Sequence, residues 1–258
     1  MSLNSLIPDL IAVSRQAGAA IMAIHARGPS ALYKSDGSPV TQADQAAEDI
    51  ILPVLKDLRP DIHIISEENA ASHTLPAPEK FWLVDPLDGT KEFLKADGQG
   101  AFTVNIAMIE GGVPVLGLVY APALDRLFVG DLTGYRGQAL TQESGTQRDL
   151  RIRPVPKTGP VAVASASHRD AKTETWLHER GLTQTRAVGS SLKFCLIAAG
   201  EADVYPRFGP TMEWDTAAGD AVLRAAGGKM ETLDARPYVY GKAGYRNTPF
   251  IARGAYHV

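Results

Sequence analysis

The stretch FWLVDPLDGTKEF at residues 81–93 places two carboxylates, a glycine and a threonine directly behind four apolar residues. The run from Phe81 to Val84 predicts a buried strand, and Asp85 follows at its carboxyl end, where α/β proteins commonly place their sites. DGTKEF predicts a turn into a short helix, whose first amides lack partners within the helix and favour a phosphate. Because two carboxylates would repel that phosphate, the stretch predicts divalent cations between the acids and the anion.

The composition excludes several classes of protein. The 258 residues carry a formal net charge of −3 and no block of Lys or Arg, which argues against a nucleic-acid polymer as partner and favours a small molecule. The single cysteine, Cys195, rules out a disulfide framework and is expected in the core of a helix. Asp9 and Arg15 interrupt the apolar N-terminal residues, so we expect neither a signal peptide nor a segment long enough to cross a bilayer.

The first half of the chain predicts two helices followed by strands. Apolar residues at helical spacing predict an amphipathic helix that ends near Ile24 and packs on the protein. Thr41 with Asp44 predicts a capped second helix. A short strand at 62–66 ends in two glutamates, and three antiparallel strands are expected within 102–131.

The second half alternates strands and helices, which indicates an α/β fold with helices layered on sheets. The last predicted helix begins in EWDTAAGDAVL at Glu213. The polar, turn-rich stretch 141–160 is the predicted boundary between two domains. We expect an N-terminal α+β domain (1–150) with most metal ligands and a C-terminal α/β domain (151–258) that supplies Asp215 and the specificity residues.

Oxygen ligands suited to Mg²⁺ stand at the ends of separate predicted elements. Asp85, Asp88 and the Leu87 carbonyl lie within one turn of chain, Glu67 ends the neighbouring strand, and Asp215 begins the last helix. Each of these alone has an ordinary reading, as a turn, a solvated acid pair or a helix cap. Together they predict a two-metal site that hydrolyses a phosphate ester.

At these residues the sequence resembles the inositol monophosphatase superfamily. The segments similar to its two signatures are SEE (66–68) with WLVDPLDGTKEF (82–93), and EWDTAAGDAVL (213–223). The resemblance implies an alternating α/β/α/β/α sandwich. Further segments resemble the CysQ branch of that superfamily, the 3′(2′),5′-bisphosphate nucleotidases: SPVTQAD (38–44), FTVNIAMI (102–109), GLVYAP (117–122), GSSLKFC (189–195) and YPRFGPT (205–211).

The resemblance also implies a role for each matching position. Two or three Mg²⁺ ions would be bound, with Asp85 bridging, and Li⁺ would inhibit. Thr90 would orient and activate the attacking water, Asp44 would polarise the Thr90 hydroxyl, and the amides of Gly89 and Thr90 would bind the phosphate. The implied catalytic residues are Asp44, Glu67 and Thr90; the implied metal ligands are Glu67, Asp85, Leu87, Asp88 and Asp215; the implied substrate-binding residues are Glu67, Leu87, Asp88, Gly89, Thr90, Ser190, Ser191, Lys193, Arg207 and Asp215.

The substrate is expected to carry a second phosphate. In the inositol branch a glutamate before the Trp-Asp motif contacts sugar hydroxyls, whereas the nearest match here is Arg207, which suits a phosphate. Lys193 would add a positive charge, and Ser190 and Ser191 could reach a ribose or phosphate. The alternatives are a solvated helix residue for Lys193 and a surface ion pair for Arg207. The resemblance thus implies a Mg²⁺-dependent 3′-phosphatase of adenosine 3′,5′-bisphosphate, acting by metal-activated water in the cytoplasm and in sulfur metabolism.

Several alternatives stay open. Inositol phosphates, fructose 1,6-bisphosphate and the sulfated nucleotide analogue are other substrates for the same site. A haloacid-dehalogenase phosphatase would use Asp85 as nucleophile, although DxxDGT is one residue longer than the DxDGT of that class. A divalent-ion or nucleotide-binding module without catalysis is the non-enzymatic alternative. A homodimer and a peripheral contact with the inner face of the membrane are also left open.

Five further residues carry weaker signals. Ser165, Ser167 and His168 end a predicted strand that faces the same region; His168 could contact the nucleotide, and the stretch could equally cap a helix. Ser66 stands where the family often has glycine, and Glu213 before the Trp-Asp pair is unusual.

Overall fold

The computed structural model describes residues 3–33, 39–74, 76–95, 100–133, 138–143, 145–165 and 170–257, the side chains of residues 3, 4 and 138 excepted. Five layers alternate between helices and sheets, which confirms the predicted fold class. The helices are α1 (Ile7–His25), α2 (Gln42–Leu58), α3 (Thr90–Phe93), α4 (Ala171–Glu179), α5 (Leu192–Ala198) and α6 (Ala217–Ala225). The strands are β1 (Ala31–Tyr33), β2 (Pro39–Thr41), β3 (His63–Ser66), β4 (Lys80–Asp88), β5 (Thr103–Glu110), β6 (Val113–Ala121), β7 (Arg126–Asp131), β8 (Gln138–Glu143), β9 (Thr146–Asp149), β10 (Val161–Ser165), β11 (Gln184–Val188), β12 (Val204–Arg207), β13 (Lys229–Thr232) and β14 (Phe250–Arg253).

A seven-stranded sheet forms the first β layer, in the order β3-β4-β5-β6-β7-β8-β9. Only its first pair, β3 with β4, is parallel. Its strands alternate between two cores, because successive side chains point to opposite faces. On β4, Trp82 and Val84 pack against α1 and α2, whereas Phe81 and Leu83 face the core beneath α5 and α6.

The first helical layer is formed by α1 and α2, as the apolar spacing predicts. Val13, Ala17 and Ile21 of α1 are buried in the core shared with α2. The predicted cap is present, since Thr41 Oγ1 accepts from the Ala43 amide and Asp44 accepts from the Thr41 amide. One expectation was wrong: by length and composition α1 is apolar enough to cross a membrane, because only Asp9 and Arg15 charge it.

The middle layer, α5 and α6, separates the first sheet from a five-stranded sheet in the order β11-β10-β12-β14-β13. At Gly117 of β6 any side chain would meet the carbonyl oxygen of Ala218, so glycine permits α6 to lie directly on the sheet. Helix α4 covers the outer face of the second sheet through Trp176 and Leu177. Cys195 is fully buried in α5, as predicted.

The structure corrects four element predictions. Within the predicted boundary stretch 141–160, residues 141–143 and 146–149 belong to β8 and β9 at the edge of the first sheet. Strand β4 continues beyond Asp85 to Asp88, and α6 begins at Ala217, so Asp215 precedes the helix. The antiparallel strands β13 and β14 were not predicted, because the residues after 228 carry no clear alternation.

The two-domain division stays a prediction. The first sheet ends at Asp149 and the second begins at Val161, which agrees with a boundary near 150. The largest core cluster nevertheless includes residues from both sides of it, such as Phe81 and Phe194.

Candidate active site

A β-bulge shapes the acidic segment of β4. Asp85 pairs with Asn105 of β5 and Asp88 pairs with Thr103, so Pro86 and Leu87 are accommodated by a shift in register. Proline has no amide hydrogen to lose at such a point, and bulges are common beside active sites. Gly89 then turns the chain into α3 with φ of +91°, a conformation that favours glycine.

Three carboxylates converge although they come from distant parts of the chain. Carboxylate oxygens of Glu67, Asp85 and Asp215 all lie within 4.8 Å of one another. The Glu67 amide bonds to the Val84 carbonyl at 3.1 Å, which continues the pairing of β3 with β4. On the other side the Met212 amide donates to Asp215 at 2.8 Å, which fixes that carboxylate just before α6.

His73 links the Glu67 side of this cluster to the Asp215 side. Its Nε2 lies 2.6 Å from the carbonyl oxygen of Ser66, the residue before Glu67. Its ring stacks on Trp214, the residue before Asp215, with centroids 4.6 Å apart. Sequence reasoning treated His73 only as part of a loop, and no local pattern marks the contact.

The cluster is electrostatically frustrated, and this fits a cation. Burial raises the pKa of Asp85 well above its ordinary value, and the charges of Glu67, Asp88 and Asp215 raise it further. Burial and the neighbouring acids Asp88 and Glu67 likewise raise the pKa of Asp215. Asp85 Oδ1 accepts from the Leu87 amide at 3.1 Å, but its buried Oδ2 has no hydrogen-bond partner among the described residues. An all-oxygen donor set with an unsatisfied carboxylate oxygen suits a hard divalent cation.

Asp88, the fourth predicted acidic ligand, lies outside the three-carboxylate cluster. Its Oδ2 accepts from the Ser191 amide at 2.6 Å and from Asn105 Nδ2 at 3.3 Å. Burial raises the pKa of Asp88, while the nearby charge of Lys193 opposes this. The Leu87 carbonyl, also a predicted ligand, accepts from Thr90 Oγ1 at 3.3 Å. Metal binding by Asp88 and Leu87 therefore stays a prediction.

Thr90 and Asp44 lie together, as the resemblance implies. Thr90 Oγ1 donates to Asp44 Oδ1 at 3.4 Å, and Asp44 Oδ2 accepts from both the amide and the hydroxyl of Thr41, at 2.7 and 2.8 Å. Burial raises the pKa of Asp44 to about 6 against the lowering effect of the Thr41 bonds. The same carboxylate thus caps α2 and holds the threonine hydroxyl at the cavity.

The acidic cluster lies in a cavity of roughly 510 Å³, large enough for a nucleotide. Its C-terminal wall includes the predicted substrate residues Ser190, Lys193 and Arg207. Ser191 is not among the described lining residues: its hydroxyl donates to the Asp215 carbonyl at 2.6 Å. The Ser191 amide also donates to Asp88 Oδ2, so Ser191 links the segments that carry Asp88 and Asp215, and its contact with the substrate stays a prediction.

The alternatives left open for Lys193, a solvated helix residue, and for Arg207, a surface ion pair, were wrong, because both residues are buried. Lys193 Nζ donates to the Ser190 carbonyl at 2.6 Å, and burial lowers the pKa of this amine to about 8. The Arg207 guanidinium donates to the carbonyls of Gly209 and Pro210 at 3.1 and 2.8 Å. Both cations are thus held in place by backbone oxygens.

Three residues at the end of the strand before α4 were also singled out. Ser165, the last residue of β10, lines the cavity. Ser167 and His168 lie outside the described residues.

Glu213, which had no explanation from the sequence, is an anchor behind the site. It is fully buried, accepts from the amides of Gly241 and Lys242 at 2.7 and 3.0 Å, and pairs with Lys242 Nζ at 2.5 Å. Its position directly before Trp214 and Asp215 was the available signal. The partners lie 28 and 29 residues away and could not be read from a local pattern.

Comparison with known proteins agrees with this arrangement. The model of the inositol monophosphatase family matches residues 4–255. A 3′(2′),5′-bisphosphate nucleotidase CysQ of Escherichia coli O157:H7 is 43% identical over 238 residues, covering 91% of this chain and 94% of that protein. The same enzyme of Salmonella typhimurium is 44% identical over 240 residues, covering 90% and 94%. The crystal structure of CysQ from Bacteroides thetaiotaomicron superposes with a TM-score of 0.78 at 34% identity, covering 96% of both chains. These matches replace the haloacid-dehalogenase alternative: the chain belongs to the inositol monophosphatase family, whose members depend on metal ions.

Proposed function

We propose that this protein is a Mg²⁺-dependent phosphatase that removes the 3′-phosphate of adenosine 3′,5′-bisphosphate to give AMP. The observation that carries the proposal is the convergence of Glu67, Asp85 and Asp215 in the cavity that Thr90 also lines, with an Oδ2 of Asp85 that has no hydrogen-bond partner among the described residues. A mere binding module would not need the hydroxyl–carboxylate pair of Thr90 and Asp44. The similarity to CysQ enzymes supports the choice of substrate.

Each group at the site has a task in this reaction. Glu67, Asp85 and Asp215 would hold the cation, with Asp88 and the Leu87 carbonyl as further ligands. Bound Mg²⁺ supplies Lewis acidity, which lowers the pKa of water and neutralises phosphate charge, and Li⁺ would compete with it. Thr90, held by Asp44, orients the attacking water, and the amides of Gly89 and Thr90 bind the phosphate.

The C-terminal wall accounts for the second phosphate. Lys193 and Arg207 are buried cations that line the cavity, and both are held by hydrogen bonds to backbone carbonyls. A polyol offers no charge to match them, whereas a bisphosphate does. This favours the nucleotide over inositol 1-phosphate, and over fructose 1,6-bisphosphate when the CysQ similarity is added.

The proposal is tested by phosphate release from adenosine 3′,5′-bisphosphate, inositol 1-phosphate and fructose 1,6-bisphosphate, with MgCl₂ and with EDTA. We expect the highest kcat/KM for the nucleotide and no turnover in EDTA. Thr90→Ala should lower kcat by roughly 10²–10³-fold, because a positioned hydroxyl is lost, while Thr90→Ser keeps most activity. Thr183→Ala, an exposed threonine, is the matched control. Preference for inositol 1-phosphate, or full activity of Thr90→Ala, would refute the proposal.

Cytoplasmic location is part of the proposal, in keeping with a soluble nucleotide substrate. Hydrolysis of the sulfated analogue, the homodimer and the peripheral membrane contact stay predictions. The apolar composition of α1 is the feature that keeps the membrane contact open.

A further inference from the structure

We propose that His73 is a positioning residue that holds Glu67 and Asp215 at the separation suited to a divalent cation. The inference deepens the proposed function and rests on its cation site. His73 ends the 3₁₀ helix Ala70–His73 and is half-buried. It is not among the described residues that line the cavity, so it acts through its neighbours and not on the substrate.

The acidic cluster needs such support because its members repel one another and two of them lie outside regular elements. Asp85 is fixed by strand β4, whereas Glu67 lies in the turn after β3 and Asp215 in the turn before α6. Carboxylate oxygens of the three lie within 4.8 Å of one another. Like charges at this distance oppose the geometry that a cation requires, so contacts from the rest of the fold must maintain it.

His73 fixes the peptide group that joins Ser66 to Glu67. Its Nε2 lies 2.6 Å from the carbonyl oxygen of that peptide, and because a carbonyl oxygen only accepts, Nε2 carries the proton and donates. The amide of the same peptide donates to the Val84 carbonyl of β4 at 3.1 Å. Both ends of the peptide group are thus held, which sets the direction in which the Glu67 side chain leaves the backbone.

The bond from His73 is the shortest of three that the Ser66 carbonyl accepts among the described residues. The Asn69 amide donates to this oxygen at 3.1 Å, and Ser72 Oγ donates at 3.4 Å. These two donors belong to the same turn, whereas the His73 ring also contacts the segment that carries Asp215. His73 is therefore the donor that connects the two sides of the cluster.

On the second side His73 contacts Trp214, the residue before Asp215. The imidazole stacks on the indole with ring centroids 4.6 Å apart and the planes inclined by 24°. Trp214 is buried and its Nε1 has no hydrogen-bond partner in the described part of the chain, so ring contacts orient the indole. The ring of Tyr245 lies farther from the indole, with centroids 6.3 Å apart. Loss of the His73 ring therefore removes the closer support of Trp214.

Three variants separate the two contacts of His73. His73→Phe keeps a ring beside Trp214 but loses the donor to Ser66, His73→Gln keeps a donor but loses the ring, and His73→Ala loses both. The control is His63→Gln, at an exposed histidine of β3. The melting temperature in EDTA shows whether each variant is folded.

The first measurement is the binding of Mn²⁺ without substrate, followed by the electron paramagnetic resonance signal of the free ion, since Mn²⁺ takes the same oxygen ligands as Mg²⁺. We expect the Kd to rise about 10–100-fold in His73→Ala, as is typical when a residue that orients metal ligands is lost, and less in His73→Phe and His73→Gln. The second measurement is phosphate release from adenosine 3′,5′-bisphosphate over a range of MgCl₂ concentrations. The concentration for half-maximal rate should rise by a similar factor, whereas kcat and the nucleotide KM at saturating MgCl₂ stay close to the wild-type values.

Each outcome decides for or against one of the two proposals. An unchanged Mn²⁺ Kd in the folded variants refutes the inference and leaves the proposed function standing, even if the melting temperature falls, because His73 would then only fill space. A loss of kcat or a higher nucleotide KM at saturating MgCl₂, with an unchanged Kd, refutes it as well. If Mn²⁺ binding depends on His73 as expected but the wild type does not hydrolyse the nucleotide, the proposed function fails and the inference holds. A wild-type protein that binds no Mn²⁺ refutes both.

Discussion

Two groups of acids, one lining the cavity and one packed behind it, have opposite surroundings, although Asp215 of the first lies between Glu213 and Asp220 of the second in the sequence. The cavity acids Glu67, Asp85 and Asp215 face one another, and Asp85 keeps an oxygen without a partner in the described structure. The packed acids behind the cavity, Glu213 and Asp220, each have a cation and further donors. Buried charges are costly unless paired. We therefore expect that removing one partner of a packed acid destabilises the protein, whereas removing the charge of a cavity acid relieves repulsion until a cation binds.

The partners of the packed acids make the contrast concrete. Arg224 pairs with Asp220 Oδ2 at 2.8 Å from one turn further along α6, and the Tyr240 hydroxyl donates to the same oxygen at 3.0 Å. Lys242 pairs with Glu213 and lies over the rings of Tyr238 and Tyr240. In the cavity, by contrast, the charges of Glu67, Asp88 and Asp215 raise the pKa of Asp85, and its Oδ2 has no hydrogen-bond partner among the described residues.

The largest expected effect is at Asp85. Asp85→Asn should lower kcat on the order of 10³-fold, because it removes a charged metal ligand. In EDTA the same variant should unfold several °C higher than the wild type, because it removes a buried, repelled charge. Activity and the melting temperature with EDTA measure the two effects, with the exposed Asp57→Asn as control. A lower melting temperature in EDTA would break the comparison.

Glu213 should behave in the opposite way. Glu213→Gln leaves Lys242 without its buried partner, so we expect a loss of about 3 kcal/mol in the free energy of unfolding, with and without Mg²⁺. Urea unfolding measures it. Lys242→Met, which removes the other partner, tests whether the pair or the two amide bonds to Glu213 carry the stability. If Glu213→Gln unfolded like the wild type, the packed acids would not differ from the cavity acids.

The cavity acids should also make the stability of the metal-free protein depend on pH. Burial raises the pKa of Asp85 and Asp215 well above 3.8 and that of Asp44 to about 6. For acids whose pKa is raised by folding, the native state binds more protons than the unfolded state. The stability of the metal-free protein should therefore fall as the pH rises from about 4 through about 6.

Metal binding must release those protons, so the stabilisation by Mg²⁺ should grow with pH. We expect the rise in melting temperature caused by MgCl₂ to be about 2–5 °C larger at pH 8 than at pH 5. Asp85→Asn should reduce this difference. An equal effect of MgCl₂ at both pH values would contradict the electrostatic account of the cavity acids.

The comparison also explains what the sequence could predict. The Thr41–Asp44 cap joins residues three positions apart, so the local pattern predicted it. The layered fold followed from the order of strands and helices. In contrast, the contacts of Glu213 with Lys242 and of Ser191 with Asp88 span 29 and 103 residues. Such contacts depend on how the layers pack, which no short pattern encodes.

Arg246, which lines the cavity, is a further residue that no local pattern predicted. The backbone of Arg246 pairs with that of Met212, which is distant in the sequence. The strands β13 and β14, on either side of Arg246 along the chain, were not predicted. The resemblance named the metal ligands because they stand in its signatures, whereas the rim of the cavity lies outside them.

The smallest expected effect is at Ser66, where the family often has glycine. Ser66 Oγ donates to Glu48, a buried acid on α2, so Glu48 should belong with the packed acids although it lies near Glu67. Ser66→Ala should then lower the free energy of unfolding by about 1–2 kcal/mol, equally in EDTA and in MgCl₂, because one donor to a buried carboxylate is lost. Ser30→Ala, at an exposed serine, is the control, and a double-mutant cycle with Glu48→Gln isolates the bond. If Ser66→Ala instead raised the melting temperature in EDTA and lowered it in MgCl₂, Glu48 would behave as a cavity acid. The group of cavity acids would then extend to α2.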